Sequence, residues 1–153
     1  MAYDIIGDIH GHADKLHALL ARLGYRERDG AFRHPDRQAI FVGDLIDRGS
    51  RQVDTVNTVR RMVDAGSALA IMGNHEFNAI AWHTNDPSGN GETLRPRLGK
   101  IGQKNREQHE AFLAEVEHQP GLHTELIDWF LTLPLWLDLP GLRVVHACWH
   151  ADY

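Results

Sequence analysis

An α/β fold built on a parallel sheet is what this sequence predicts, and three observations predict it. Apolar runs of strand length stand at 3–6, 39–42 and 68–72. Each is followed by a longer segment with helical periodicity, giving β-α-β-α-β-α, the order that favours parallel strands joined by crossover helices. Each run also ends in a glycine-flanked polar loop, and open α/β sheets bind ligands at the C-terminal ends of their strands.

Tyr3 to Ile6 makes the first strand, ending at Gly7. His12 to Leu23 predicts a helix. Leu16, Leu19, Leu20 and Leu23 recur at i, i+3, i+4 and i+7 as one apolar face, and Gly24 stops it. Tyr25 to Gln38 is polar and carries the turn signal Asp29-Gly30, so it is a short hairpin or a loop. Ala39 to Val42 is the second strand. Arg51 to Ala65 predicts a helix with Val53, Val56, Val59 and Val63 inward and Gly66 at its end. Ala68 to Met72 is the third strand, and Asn74 to Trp82 a helix whose first turn carries Asn74 and His75.

The alternation then breaks. Thr84 to Arg97, rich in Pro, Gly, Asn and Asp, reads as a loop. Gln103 to His118 is helix-compatible, with Pro120-Gly121 closing it, and Thr124 to Leu133 is an apolar-faced helix. Leu135 to Leu139 and Leu142 to Val145 read as a hairpin turning at Pro140-Gly141 and leading to His146. The chain is thus read as one domain over 1–153 with a helical insertion over about 84–125. That insertion is either a cap or wall beside the site or simply packing.

Composition narrows the classes. Hydrophobic residues at 42% and charged residues at 24% suit a folded domain rather than a disordered chain. A net charge of −5 argues against a surface that binds nucleic acid throughout. Arg95, Arg97, Lys100, Lys104 and Arg106 cluster in the insertion, and a solvated face is preferred to a nucleic-acid site there. The single cysteine, Cys148, cannot form an intramolecular disulfide and reads as a buried small apolar residue. No secretory segment or membrane span is expected, which predicts a cytoplasmic protein. Oligomeric state is left open.

The strand-end loops carry the chemistry. In Gly7-Asp8-Ile9-His10-Gly11, residues i and i+2 of an extended segment share a side, so Asp8 and His10 can face one metal ion. In Gly43-Asp44-Leu45-Ile46-Asp47-Arg48-Gly49, the Asp44 carboxylate can bridge two cations. Asp47, three residues on, is better placed to orient a histidine, and Arg48 offers a planar fork for phosphate oxygens. In Gly73-Asn74-His75-Glu76, Asn74 can supply a neutral oxygen ligand and His75 can donate a proton to a leaving oxygen. His146, at the end of another apolar strand, is a ligand candidate for a second metal. Each loop alone also reads as a turn, a surface ion pair or a helix cap. Three of one design in a short chain are poorly explained as separate accidents.

These three motifs, in this order and spacing, resemble the signature of the calcineurin-like metallophosphoesterases, and within them the PPP branch. That branch contains serine/threonine protein phosphatases and bis(5′-nucleosyl)-tetraphosphatases. The resemblance runs from Tyr3 to about Trp82 and from about Ile127 to Trp149. It implies a layered fold, a β-sandwich flanked by helices, of which the first three strands supply one sheet and the late hairpin begins the other. It implies two divalent metal ions, manganese first, with iron, zinc or nickel as alternatives. Asp8 and His10 would bind one, Asp44 would bridge both, and Asn74 and His146 would bind the other. A bridging hydroxide would attack phosphorus, His75 would be the general acid oriented by Asp47, and Arg48 would hold the phosphate. The implied substrate is a phosphoprotein or a dinucleoside polyphosphate.

Two departures temper this. Cys148 stands where the family pattern has glycine. Family members also continue for roughly another hundred residues and supply a further histidine ligand. The chain is therefore expected either to be truncated at its C-terminal end or to have an incomplete second metal site. The rival reading on that ground is a non-catalytic phosphate- or metal-binding module, and a polynucleotide-end phosphatase is a third.

Overall fold

The structure, a computed structural model, describes residues 1–150 and 152. In chain order its elements are β1 (Ala2–Ile6), α1 (Ala13–Arg22), β2 (Arg26–Arg28), β3 (Ala31–Arg33), β4 (Arg37–Phe41), α2 (Gln52–Asp64), β5 (Ala68–Ala70), α3 (Asn74–His83), α4 (Gly99–Val116), α5 (Pro120–Leu131), β6 (Trp136–Leu139) and β7 (Leu142–Val145). β1, β4 and β5 form a parallel sheet in that order, with Ile5 opposite Ile40 and Ile40 opposite Leu69. β2 and β3 pair antiparallel, as do β6 and β7.

The two faces of the parallel sheet bury different partners, because successive strand residues point to opposite sides. Ala39 and Phe41 face the main core with Ile6, Leu16, Leu20, Val56, Val59 and Met62 from the strands and crossover helices. Ile40 faces the other way, where it packs with Ile71 and Val144, and with Leu137, Leu139 and Leu142 of the late hairpin. The sheet therefore lies between helices and a second β layer, as the resemblance implies.

Helix ends follow the glycine signals. After α1, the Gly24 N–H bonds Ala21 O and the Tyr25 N–H bonds Leu20 O, with Gly24 at φ +96°. After α2, Gly66 and Ser67 make the same pair of bonds to Val63 and Met62. These are Schellman ends, which satisfy the last carbonyls through a left-handed glycine. Asp29 (φ +49°) and Gly30 (φ +79°) both adopt the left-handed conformation of a two-residue type I′ hairpin, so the polar stretch is a hairpin and not a loop. Buried Asp4 ties the sheet edge to that hairpin. Its carboxylate accepts bonds from Arg37 and from the Tyr25 hydroxyl at 2.9 Å, and the Arg37 guanidinium holds its carboxyl below the usual range.

Three expectations need correction. Leu19 is exposed, because the face of α1 that meets the core centres on Ala13, Leu16 and Leu20. In α2, Val53 and Val63 pack half-buried against the core as expected, and Gln52, Thr55, Thr58 and Met62 share the buried face with Val56 and Val59. Pro120 opens α5 instead of closing α4, since a fixed φ suits the first helical position and the missing N–H costs nothing there. Cys148 is exposed.

The segment after α3 holds no helix or strand until α4, apart from an isolated bridge between Asn85 and Thr93. The helices that follow, α4 and α5, join the main core. Phe112 of α4 and Phe130 of α5 are fully buried in it with ring centroids 6.0 Å apart, and truncating such a ring costs about 3–5 kcal/mol. Three of the basic side chains there have internal partners. Arg97 bonds Trp82 O and sits over the Trp82 ring, Arg106 pairs with Glu117, and Arg95 bonds Gln108. Among the described residues, no helix is long and apolar enough to cross a membrane.

Candidate metal centre and proton-donor pair

The loops after β1, β4 and β5 leave the same edge of the sheet and are bonded to one another through their backbones. The N–H groups of His10 and Gly11 bond Asp44 O and Leu45 O at 3.0 and 2.8 Å. Gly49 N–H bonds His10 O at 2.7 Å. Glycine is required where the loops touch. A Cβ on Gly43 would lie 2.4 Å from Gly73 N, and one on Gly73 would lie 2.5 Å from Asp44 N.

A buried carboxylate locks this contact. Glu76 accepts the N–H groups of Asp44 (2.7 Å) and Gly73 (3.0 Å) on one oxygen and that of Leu45 (2.9 Å) on the other. Gln52, also buried, accepts Asp47 N–H and donates to Gly49 O. Such bonds sustain backbone that is otherwise costly. Among the described residues six non-glycine residues have positive φ, and five are Asp8, His10, Asp44, Asp47 and Arg48. Left-handed non-glycine residues cost about 1–3 kcal/mol each, and they gather where a surrounding structure over-determines them for a task.

Histidine tautomers follow from the partners. His10 Nδ1 lies 2.8 Å from Ile46 O and His146 Nδ1 2.6 Å from Val42 O. A carbonyl only accepts, so each Nδ1 carries the hydrogen, and in the neutral ring each Nε2 presents a lone pair. His146 Nε2 is 2.9 Å from Asn74 Oδ1 and 3.3 Å from Asp44 Oδ2. With His146 neutral, three lone-pair atoms meet there, a set that a cation between them would satisfy. Ligand atoms of His10, Asp44 and His75 also lie within 4.8 Å of one another. The donor set is mixed nitrogen and oxygen, which fits a divalent first-row cation. Asp8 is exposed after β1 with φ +52° and lies outside that close group.

His75 is turned toward a different partner. Its Nδ1 donates to Asp47 Oδ2 at 2.6 Å, and this bond raises its pKa above the usual imidazole value despite burial. Burial would raise the Asp47 carboxyl, but the bonds from His109 and His75 outweigh it and hold it low. Arg48 is exposed and, among the described residues, has no ion-pair partner. With Asn74, His75 and Asn78 it lines a cleft of about 440 Å³ whose far wall is Glu107, Gln108, Glu110 and Ala111 of α4.

Sequence reading missed three residues here. Glu76 follows Gly73 by three, the spacing of a helix-start carboxylate, so it left a faint signal. Gln52 left none. His109 donates from Nδ1 to Asp47 Oδ1 at 2.7 Å from 62 residues away, a contact no local pattern announces.

The sequence model of the calcineurin-like phosphoesterases matches residues 1–148. The asymmetrical bis(5′-nucleosyl)-tetraphosphatase PrpE of Oceanobacillus iheyensis is 42% identical over 155 residues, covering 96% of this chain and 55% of that protein. PrpE of Bacillus thuringiensis is 42% identical over 162 residues, covering 100% and 60%. The chain thus spans little more than half the length of these curated relatives. Among solved structures, a cold-active protein-tyrosine phosphatase of a psychrophilic Shewanella aligns with a TM-score of 0.61 at 18% identity, over 99% of this chain and 44% of that one. A metallophosphoesterase from Sphaerobacter thermophilus aligns at 0.55 and 19%, over 94% and 45%. At such identities the structures speak for the fold alone.

Proposed function

We propose that this chain, which belongs to the calcineurin-like phosphoesterase family, hydrolyses a phosphoric anhydride bond of a dinucleoside polyphosphate with the help of two divalent cations. The observation that carries the reading is the convergence of Asn74, Asp44 and His146 beside a hydrogen-bonded His75–Asp47 pair. The names of the relatives favour this substrate over a phosphoprotein or a polynucleotide end, which the same reacting groups would serve. A cytoplasmic setting is part of the reading, and a single cysteine agrees with it.

Asp8, His10, Asp44, Asn74 and His146 would hold the cations, manganese first and iron, zinc or nickel by the same donors. Bound there, the cations supply Lewis acidity toward a phosphoryl oxygen and an acidified water. The chain's own groups do the rest. Arg48 takes a phosphate oxygen in its guanidinium fork and compensates charge that grows on the phosphoryl group. His75 gives the Nε2 proton to the leaving oxygen as its bond to phosphorus breaks. Asp47 keeps Nδ1 hydrogen-bonded throughout, so Nε2 stays aimed outward. Glu76 holds the Asp44 loop still, so that no reorganisation is needed during reaction.

Diadenosine tetraphosphate tests this directly. Asymmetrical hydrolysis leaves ATP and AMP in equal amounts, and symmetrical hydrolysis leaves two ADP. With added Mn²⁺ the first pair is expected, and EDTA should abolish it. Intact substrate would contradict the proposal, and ADP alone would keep the hydrolysis but overturn its asymmetry.

A further inference from the structure

We propose that His109, on α4, is a positioning residue for the His75–Asp47 pair, making the working unit a line of three side chains, His75–Asp47–His109. The inference rests on the hydrolytic reading above.

Geometry supplies the argument. Asp47 is buried and its two oxygens are divided, Oδ2 to His75 at 2.6 Å and Oδ1 to His109 at 2.7 Å. With a donor on each oxygen the carboxylate plane is fixed. With one donor, a buried oxygen would lack a partner and the group could turn away from His75. His109 is itself held by rings. It stacks on Phe112 at 5.0 Å and 27°, and Trp82 meets it edge-on at 6.2 Å. Among the described residues its Nε2 is buried without a hydrogen-bond partner. An apolar ring would fill such a site without an unpaired nitrogen, so packing does not explain an imidazole here. The Nδ1 donor to Asp47 does.

The placement also ties the insertion to the chemistry. His109 stands among Glu107, Gln108, Glu110 and Ala111, the residues that wall the cleft opposite Arg48. On the same helix Glu115 accepts the N–H groups of Gln52 and Val53 at the start of α2. The seating of α4 thus sets the wall of the cleft and the orientation of the acid together.

The test compares the full chain with His109→Leu and His109→Asn. The asparagine amide can present an N–H near the Nδ1 position, and leucine cannot. Outer partners of working groups are typically worth about 10–100-fold. We expect His109→Leu to lose kcat on that scale with KM little changed, the mark of an interaction that serves the transition state. His109→Asn should recover most of the loss. A second readout needs no turnover. In ¹⁵N-labelled, metal-free protein the His75 Nδ1–H resonance should move in His109→Leu and return toward its wild-type position in His109→Asn. Wild-type kcat in a folded His109→Leu, or an unmoved His75 resonance, would overturn the proposal. If wild-type protein hydrolyses nothing, the functional reading fails instead, and the resonance still decides the role of His109.

Discussion

Four imidazoles in and beside the site are ordered by what accepts their Nδ1 hydrogen, and His123 is placed by packing instead. His10 and His146 give it to backbone carbonyls, and His75 and His109 to the two oxygens of Asp47. His123 is buried on α5 with its Nε2 unpartnered, beside the rings of His83 and Phe112. Burial, and then His83, His109 and Arg97 nearby, push its pKa down to about 4, against a weaker pull upward from Glu117. The sign follows from linkage. The unfolded chain titrates this imidazole at its ordinary value near 6.5, so between about 4 and 6.5 it binds more protons than the folded chain. Stability is then fully present above 6.5 and falls as pH drops, by up to about 1.4 kcal/mol per pH unit for one proton. Urea unfolding at stepped pH should show this slope, and His123→Phe should flatten it. An equal slope in the variant would assign the acid sensitivity to other groups.

Elements in this chain are stopped and started by side chains from elsewhere as well as by local signals. Gly24 and Gly66 end their helices as the sequence predicts, because a left-handed residue is a local demand that glycine meets alone. Helix starts were harder to read. α2 begins at Gln52 with no cap of its own, and its first N–H groups are accepted by Glu115 from α4, 63 residues along the chain. Losing a cap costs about 0.5–2 kcal/mol, so Glu115→Ala should lower the unfolding free energy by that much, seen as a lower urea midpoint with an unchanged slope of the transition. An unchanged midpoint would mean that water replaces Glu115 at no cost. The boundary between α4 and α5 departs from the sequence expectation for a related reason. Pro-Gly signals a break, and only the position of Gln119 outside the helix shows that the proline begins the next one.

At the scale of the whole molecule, the parallel sheet and the loops at its edge were legible because each strand carries its polar motif in sequence beside it. What binds those loops together was not. Glu76, Gln52 and His109 act across 31, 5 and 62 residues through single hydrogen bonds that leave no periodicity. The central claim is that ligand and acid are separate parts of one site, Asp44 holding cations and His75 moving a proton. One paired measurement tests it most directly, namely the count of Mn²⁺ bound per chain by equilibrium dialysis, set beside turnover of diadenosine tetraphosphate, for wild type, Asp44→Asn and His75→Ala. We expect Asp44→Asn to lose both cations and turnover. We expect His75→Ala to keep the wild-type cation count while kcat falls about 10²–10⁴-fold, the usual worth of a general acid. A His75→Ala protein that has lost its cations, or an Asp44→Asn protein that still turns over, would contradict the account.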